Sequence, residues 1–558
     1  MKLLLFIEIF IVFLLSLINL ATFATGGHWA PLTLLPSDGS YIVLSTLSHH
    51  FGLGLPYKDY WELRPPGFLL LIELWVKIFG FRISAFKLLE LTFRFGIGLE
   101  IYLIVRKIFP RFQSFLVATL TNLVFFSPAF GTMMYADPYG LFFSLSGLLI
   151  LLSLKPLNWR FFLAVSFFVL SGQIKDPFNG SLLAVLPFLV LYLINHNYRY
   201  FFKAIFFSFL GALTIFIPLV IYLTRLNVLN AYLEVLNYKA DHYQLFFWQN
   251  PVVFVKGVLW AFWFPGKFLT VYNPLIVSLF LLFFLLLVLI FKRNSVMRLI
   301  SYTKGKVVVN FPSFKLLIRR EYLNAIIVLF FSIGLYFGFY FNNGFSPHYL
   351  IIILVPFYFT WSIIILLLSG FINSQLKFIS KKIIFSLLLI IFLFPPQWIR
   401  IQYKHNLQSP IETVKLAYRN LISPDAKISD FESYISSKIS KNDCILSVYG
   451  WKSSETFLYT RRKPCSRFVV PNMIYLPWQR EEYRLDLIKN PPQAIVDSGI
   501  EDIDIAYFEK EVLNLSKVLK ECYTLDTTFT DNGRYPTKLY FPKSSREKLK
   551  ACFQENIL

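Results

Sequence analysis

The chain has 558 residues, of which 56% are hydrophobic, 19% aromatic and only 15% charged. Soluble domains carry about 25% charged residues. The shortfall, together with repeated apolar runs near 20 residues, excludes a soluble globular protein and indicates a polytopic α-helical membrane protein. The runs are continuous rather than alternating, which excludes a transmembrane β-barrel, and the net charge of +22 sits in loops, where topology accounts for it without nucleic acid.

The first segment, "MKLLLFIEIFIVFLLSLINLATFA", has a basic start and an apolar stretch longer than a signal-peptide core, so it reads as a retained helix rather than a cleaved leader. About eleven spans follow the hydropathy: 3–23, 82–105, 113–130, 138–154, 157–174, 179–195, 203–224, 268–291, 322–342, 348–369 and 383–399. The stretches 66–80 and 251–264 are apolar but short, as in interfacial or re-entrant helices. Orientation follows from Lys and Arg. With the N-terminus inside, the inner loops hold Arg106, Lys107 and Arg111, then Lys155 and Arg160, Arg199 and Lys203, the run from Lys292 to Arg320, and Lys377, Lys381 and Lys382, with no acid among them. The outer segments carry Asp38, Asp59, Glu62, Asp137, Asp176, Glu234 and Asp241. The expected domains are a transmembrane unit over 1–399, with a first outer loop at about 24–81, and a soluble-like unit over 400–558.

An odd number of spans puts that second unit outside. Short β-type runs, "CILSVYG" (444–450), "SRFVVP" (466–471) and "QAIVDSG" (493–499), alternate with helical ones such as "FEKEVLNLSKVLKECY" (508–523), which reads as an extracytoplasmic α/β domain. It ends in a hairpin around "TDNGRYPTKLYF", where Asn-Gly signals the turn. All four cysteines lie here, and an oxidising location allows disulfides. The local pairing joins Cys444 to Cys465 and Cys522 to Cys552, although four cysteines allow three connectivities.

Most helix connections are short. The first outer segment is long and dense in polar and aromatic residues, so it is the expected functional loop. Ser40 to Phe51 suits an amphipathic surface helix, with Asp38 or Gly39 at its N-terminus, and Asp38 then doubles as a cap. Arg64 precedes Pro65 and Pro66, near the interface, where an arginine also snorkels. Segment 232–268, rich in aromatics beside Lys239, Lys256 and Lys267, reads as an interfacial aromatic belt or a groove for a lipid carrier.

The stretch "SDGSYIVLSTLSHHFGLGLPYKDYWELRPPGFLLLIELWVKIFG" resembles the first outer loop of the GT-C membrane glycosyltransferases. The nearest branch is that of the bacterial relatives of dolichyl-phosphate-mannose protein mannosyltransferases and of the lipid A aminoarabinose transferase. The matching residues are Asp38, Tyr41, Gly54, Tyr57, Asp59, Trp61, Arg64, Pro65, Pro66 and Gly80. Asp137 in "GTMMYADPYGLFFSLSGLLILL", Gly172 and Lys175 in "LSGQIKDPF", His348 and Tyr349 in "GFSPHYLIIILVP" and the tail over 444–497 extend the likeness in order. Gly39 stands where the family often has a second acid, and Arg64 where it often has Lys.

The resemblance implies transfer of a sugar from a polyprenyl-phosphate donor to an acceptor hydroxyl on a glycan, lipid or protein, with inversion, at the outer face of a bacterial plasma membrane. In physical terms the acceptor needs a general base, here Asp38. The leaving phosphate needs donors, here Arg64, with Lys175 and His348 on the same side. Asp59, Tyr57, Asp137 and Tyr349 complete the candidate substrate-binding set, and Tyr57 and Trp61 also suit interface anchoring or sugar stacking. Lys175 and Asp176 either pair with one another or serve the lipid. Asp137 also caps its helix. No cofactor is required by this reading, and the outer carboxylates of Asp38 and Asp137 could converge on a divalent cation. The rival function is a transporter or flippase of a lipid-linked sugar, which needs charges buried along a path through the spans. The spans read as clean, which favours interfacial chemistry.

Overall fold

The computed structural model describes residues 2–22, 37–127, 133–153, 157–239, 306–311, 314–341, 350–375, 380–393, 409–422, 430–448, 453–469, 474, 476–497, 510–531 and 535–556. The first half is helical. α1 spans Lys2–Thr22, α2 Ser37–Leu47, α3 Pro66–Phe79, α4 Ile83–Val105, α5 Arg111–Phe125, α6 Ala136–Ser153 and α7 Leu157–Ile174. A 3₁₀ segment over Asp176–Val185 runs into α8 (Leu186–Ile194), followed by α9 (Tyr198–Arg225) and α10 (Leu229–Lys239). Beyond an antiparallel hairpin, β1 (Lys306–Phe311) and β2 (Phe314–Arg319), come α11 (Arg320–Phe341), α12 (Leu350–Gln375) and α13 (Lys381–Leu393).

Among the described residues, four helical segments are long and apolar enough to cross a membrane: Ala136–Ser153, Asp176–Ile194, Tyr198–Arg225 and Tyr322–Phe339. Leu3–Asn19 and Ile351–Leu366 are shorter apolar helices. The expected span at 268–291 lies outside the described residues. Faces that would meet lipid keep large apolar side chains outward, as on α9, where Phe206, Phe209 and Ile217 are exposed. In a bilayer that exposure costs nothing, because lipid is the apolar phase.

The spans are less clean than hydropathy indicates. Glu8 of α1 and Lys87, Glu90, Arg94 and Glu100 of α4 are all buried. Glu90 Oε2 accepts from Arg94 Nε at 2.8 Å one turn on, and Oε1 accepts from the Met134 amide (2.6 Å) and the Tyr139 hydroxyl (2.7 Å). Glu100 accepts from Ser146 Oγ at 2.5 Å, and Glu8 from Asn122 Nδ2 at 3.3 Å. These bonds tie α4 to α6 and α1 to α5, as expected of a polar group that has no water to turn to. A window average hides such charges among leucines.

The second half carries α14 (Pro410–Ile422), α15 (Asp430–Lys438), β3 (Cys444–Val448), α16 (Ser453–Thr460), β4 (Lys463–Pro464), α17 (Pro477–Lys489), β5 (Ala494–Asp497), α18 (Leu515–Cys522), β6 (Tyr523–Asp531), β7 (Tyr535–Pro542) and α19 (Arg546–Asn556). One mixed sheet has the order β4-β3-β5-β7-β6. β4, β3 and β5 run parallel, and β7 pairs antiparallel with β5 and β6. β6 and β7 form the hairpin on either side of the Asn-Gly. Residues 466–469 of "SRFVVP" are not in a strand. The short β4 just ahead of it takes the edge of the sheet, and the Arg467 carbonyl instead accepts from the Trp61 amide at 2.9 Å. Of the helical run expected over 508–523, Lys510 and Glu511 are helical and α18 covers Leu515–Cys522, after which Tyr523 opens β6. Cys444 is bonded to Cys465 and Cys522 to Cys552, with Cα atoms 5.0 and 6.3 Å apart.

The tail does not stand apart from the first loop. Tyr41, Ile42, Leu44 and Leu47 of α2 share one apolar core with Ile445, Phe457, Val496 and Leu539 of the tail. Tyr57, Trp61 and Leu69 share another with Val448, Phe468 and Leu487. α2 is thus buried from Gly39 to Ser48, and it is a sandwiched helix rather than the amphipathic surface helix that its pattern suggests. Replacing Leu44 with Ala, which is fully buried in this shared core, is expected to cost about 2–5 kcal/mol. The check is the unfolding midpoint of the detergent-solubilised chain, which falls while both disulfides stay formed.

Candidate functional site

The first loop turns twice between α2 and α3. Gly54 adopts φ +141°, and a Cβ there would come within 2.7 Å of Asp59 Cβ. Glycine therefore leaves space for Asp59 to fold back, and Asp59 Oδ2 accepts from the Leu55 amide at 2.7 Å. Tyr57 sits at φ +63°, a conformation that a bulky residue keeps only when its surroundings hold it. Its ring packs 5.0 Å from that of Tyr232, and its hydroxyl donates to the Arg64 carbonyl at 2.8 Å. Burial, then the neighbouring Tyr232 and Glu62, hold that hydroxyl protonated well above its ordinary range.

Glu62 is the centre of the loop. It is fully buried. Its Oε2 accepts from Ser45 Oγ of α2 at 2.7 Å, and its Oε1 accepts from both the amide and the guanidinium of Arg64, at 2.9 and 3.0 Å. Tyr41 closes the unit by donating to the Trp61 carbonyl at 2.5 Å, with the Arg64 guanidinium 5.8 Å from its ring centre. Arg64 keeps a quarter of its side chain exposed. It is oriented from below and open above.

Pro65 and Pro66 then start α3, where a preset φ and a missing amide cost nothing. The next residue meets α7. A Cβ on Gly67 would come within 2.5 Å of the Gln173 carbonyl, so only glycine allows the two backbones this close. The approach brings the start of α3, next to Arg64, against the end of α7, next to Lys175.

Lys175 Nζ binds the buried Asp137, 2.7 Å from Oδ1 and 2.8 Å from Oδ2. It does not pair with Asp176, whose carboxylate instead takes Lys239 Nζ from α10 at 2.7 Å. Adjacent residues at a helix end point apart, so each acid finds its cation on another element. The Lys175 ammonium lies against both oxygens of Asp137, and Oδ1 makes no hydrogen bond among the described residues. Asp38 lies in the first turn of α2, and its side chain is outside the described residues, as are His348 and Tyr349.

Trp61 is neither an interface anchor nor an open stacking surface. It is buried, with Tyr238, Trp478 and Phe468 ring centres 5.3–5.6 Å away. Arg467 lies 4.8 Å from its ring centre and also binds Glu234 of α10 (2.8 Å) and Glu482 of α17 (2.6 Å). A second arginine of the tail, Arg461, sits 3.4 Å over Phe51 and 4.9 Å from Phe81, and burial pulls its pKa down to about 10. The sequence reading passed over Glu62, Glu90, Arg461 and Arg467. Only the Glu62-x-Arg64 spacing hinted at any of them.

No protein-family model matches the chain, and no curated protein does. The solved structures to which the chain is similar are membrane glycosyltransferases of the GT-C fold. One is the archaeal oligosaccharyltransferase AglB from Archaeoglobus fulgidus, in complex with an inhibitory peptide and a dolichol-phosphate. It has a TM-score of 0.48 and 12% identity, over 95% of this chain and 74% of that one. Another is ArnT from Cupriavidus metallidurans in the apo state, with a TM-score of 0.45 and 12% identity, over 96% of this chain and 97% of that one. Likeness at this level assigns no activity, and the reading below rests on this chain's own residues.

The Asp137–Lys175 pair makes a sharp energetic expectation. Lys175→Met leaves a buried carboxylate uncompensated, and Asp137→Asn leaves a largely buried ammonium so, each at about 3–5 kcal/mol. The double variant is expected to recover most of that loss. A double-mutant cycle on thermal or denaturant unfolding checks it, and strictly additive losses would refute the coupling.

Proposed function

We propose that the chain is a glycosyltransferase that moves a sugar from a polyprenyl-phosphate-linked donor to an acceptor hydroxyl at the membrane surface, with inversion. The carrying observation is the convergence of Arg64 and Lys175. Two cations from separate parts of the sequence meet where the first loop touches the end of α7, each backed by a buried carboxylate. A leaving lipid phosphate needs such fixed donors, because they stabilise developing charge without reorganising. A guanidinium adds a fork that matches two phosphate oxygens.

In this reading Asp38 is the general base. It takes the proton as the acceptor oxygen bonds to the anomeric carbon, and the bond from that carbon to the phosphate oxygen breaks, with the electron pair leaving on the lipid phosphate. Arg64 receives that charge and Lys175 supports it. His348 and Tyr349 are assigned to the same phosphate side. Asp59 and Tyr57 order the loop rather than reach the substrate, as their hydrogen bonds within it indicate. Asp137 works through Lys175. Donor and acceptor are a lipid-linked hexose or pentose and a glycan, lipid or protein hydroxyl.

The sides of the membrane follow the same reading, with a multi-pass chain in a bacterial plasma membrane. Loop residues 48–65, Asp137, Lys175 and the tail gather on one face, taken as extracytoplasmic. The turn at Lys107, whose carbonyl accepts from Asn324 Nδ2 at 2.9 Å, belongs to the other, basic face, with the N-terminus.

The test uses membranes containing the full chain and a panel of radiolabelled polyprenyl-phosphate sugars. Asp38→Asn is expected to lower transfer by about 10²–10⁴-fold, the usual worth of a general base. Arg64→Lys, which keeps the charge and loses the fork, should fall less than Arg64→Ala. Near wild-type transfer by Asp38→Asn would overturn the base assignment. Movement of the intact lipid-linked sugar across vesicles, with no transfer from any donor, would favour the transporter.

A further inference from the structure

Just past the C-terminal end of α2 and along the middle of α3, three residues meet. His49 and His50 follow α2, and Glu73 projects from the middle of α3. Glu73 is buried, His49 nearly so, and the His50 side chain is 41% exposed. The two imidazole ring centres are 3.9 Å apart. Glu73 Oε1 lies 3.2 Å from His50 Nε2 and 3.7 Å from His49 Nε2.

We propose that His49, His50 and Glu73 form a binding site for a zinc-class divalent ion that ties the end of α2 to α3. Two imidazoles and one carboxylate suit zinc, with water as fourth ligand at the exposed His50 edge. Metal–ligand distances of about 2.0–2.2 Å in a tetrahedron set neighbouring ligand atoms about 3.4 Å apart, and the two carboxylate–imidazole distances lie on either side of that value. The three candidate ligand atoms all fall within 4.8 Å of one another, so closure needs only a modest adjustment, which the exposed His50 ring allows.

Two further features fit. Tyr222 of α9 donates to the other carboxylate oxygen, Oε2, at 2.7 Å, which turns Oε1 toward the histidines, the outer support that ligating carboxylates commonly have. His49 is held close without being consumed. Its Nδ1 has no hydrogen-bond partner among the described residues, and its Nε2 stops 3.7 Å from the carboxylate. The position of a bound cation is held here by Lys77, whose ammonium lies 2.6 Å from Oε1 on a side chain that is 56% exposed. Such an exposed ion pair is weak and easily given up. The proposal is independent of sugar transfer, and its test reads metal rather than activity.

The full chain, purified in detergent with an affinity tag that contains no histidine, is stripped with a chelator and titrated with zinc at pH 7.5. Bound metal is counted by mass spectrometry, and affinity is taken from competition with a chromogenic chelator. We expect one zinc per chain, with affinity reduced at least about tenfold in His50→Ala and in Glu73→Gln. Lys77→Ala should bind zinc more tightly, because the competing ammonium is gone, and a misfolded variant cannot mimic that gain. Absence of zinc from the wild type, equal affinity in His50→Ala and wild type, or weaker binding by Lys77→Ala would each overturn the site.

Discussion

The structure turns on the burial of one carboxylate. Glu62 has no contact with solvent, and a bare carboxylate in that position would cost several kcal/mol. It is tolerated because three donors converge on it, Ser45 from α2 and the amide and guanidinium of Arg64. The same bonds decide where Arg64 points and how α2 lies against the turn before α3. Taking Glu62 away would leave a buried hydroxyl and a guanidinium without a common acceptor. The loop's geometry is therefore set by charge neutralisation, and the apolar contacts fill in around it.

The tail completes that arrangement. A long outer loop on its own would carry backbone groups and aromatic rings with nothing to bury them. Here α16 covers α2, and Arg467 and Arg461 reach across from the tail to Trp61, Phe51 and Phe81. These cations lie over ring faces, where partial desolvation strengthens the attraction. Arg467 also joins α10 to α17 through two carboxylates, so the first loop, the segment after α9 and the tail converge on one side chain. Residues some 400 positions apart thus share a core.

Much of this was legible in sequence where one physical signal dominated. Apolar runs marked the helices. The Asn-Gly marked the β6–β7 hairpin. Legibility failed where the partner was remote. The period of α2 looks amphipathic, and nothing near it in sequence says that α16 will pack against it. Lys175 stands next to Asp176, yet backbone direction sends each to a different element, Asp137 and Lys239. Glu90 and Arg94 vanish into a hydropathy average, although one turn of helix brings them together. "SRFVVP" has β composition, but the edge of the sheet was taken by Lys463–Pro464 and its backbone paired with Trp61 instead.

The paired charges also say how an anion would be met. Glu62 with Arg64, Asp137 with Lys175 and Asp176 with Lys239 make a cluster that is neutral before any ligand arrives. Attraction by net charge is then weak, and recognition has to come from the direction of the donors. Arg64 and Lys175 are each held by a carboxylate more buried than themselves and keep some exposure of their own, whereas Lys239 is buried beside the more exposed Asp176. Under the proposed function, a phosphate entering there would meet donors whose orientation was already set on folding. Neutral pairing also lets the cluster sit beside apolar helix ends, where three uncompensated cations could not be desolvated together. One set of carboxylates thus serves stability in the empty state and positions the cations for a ligand.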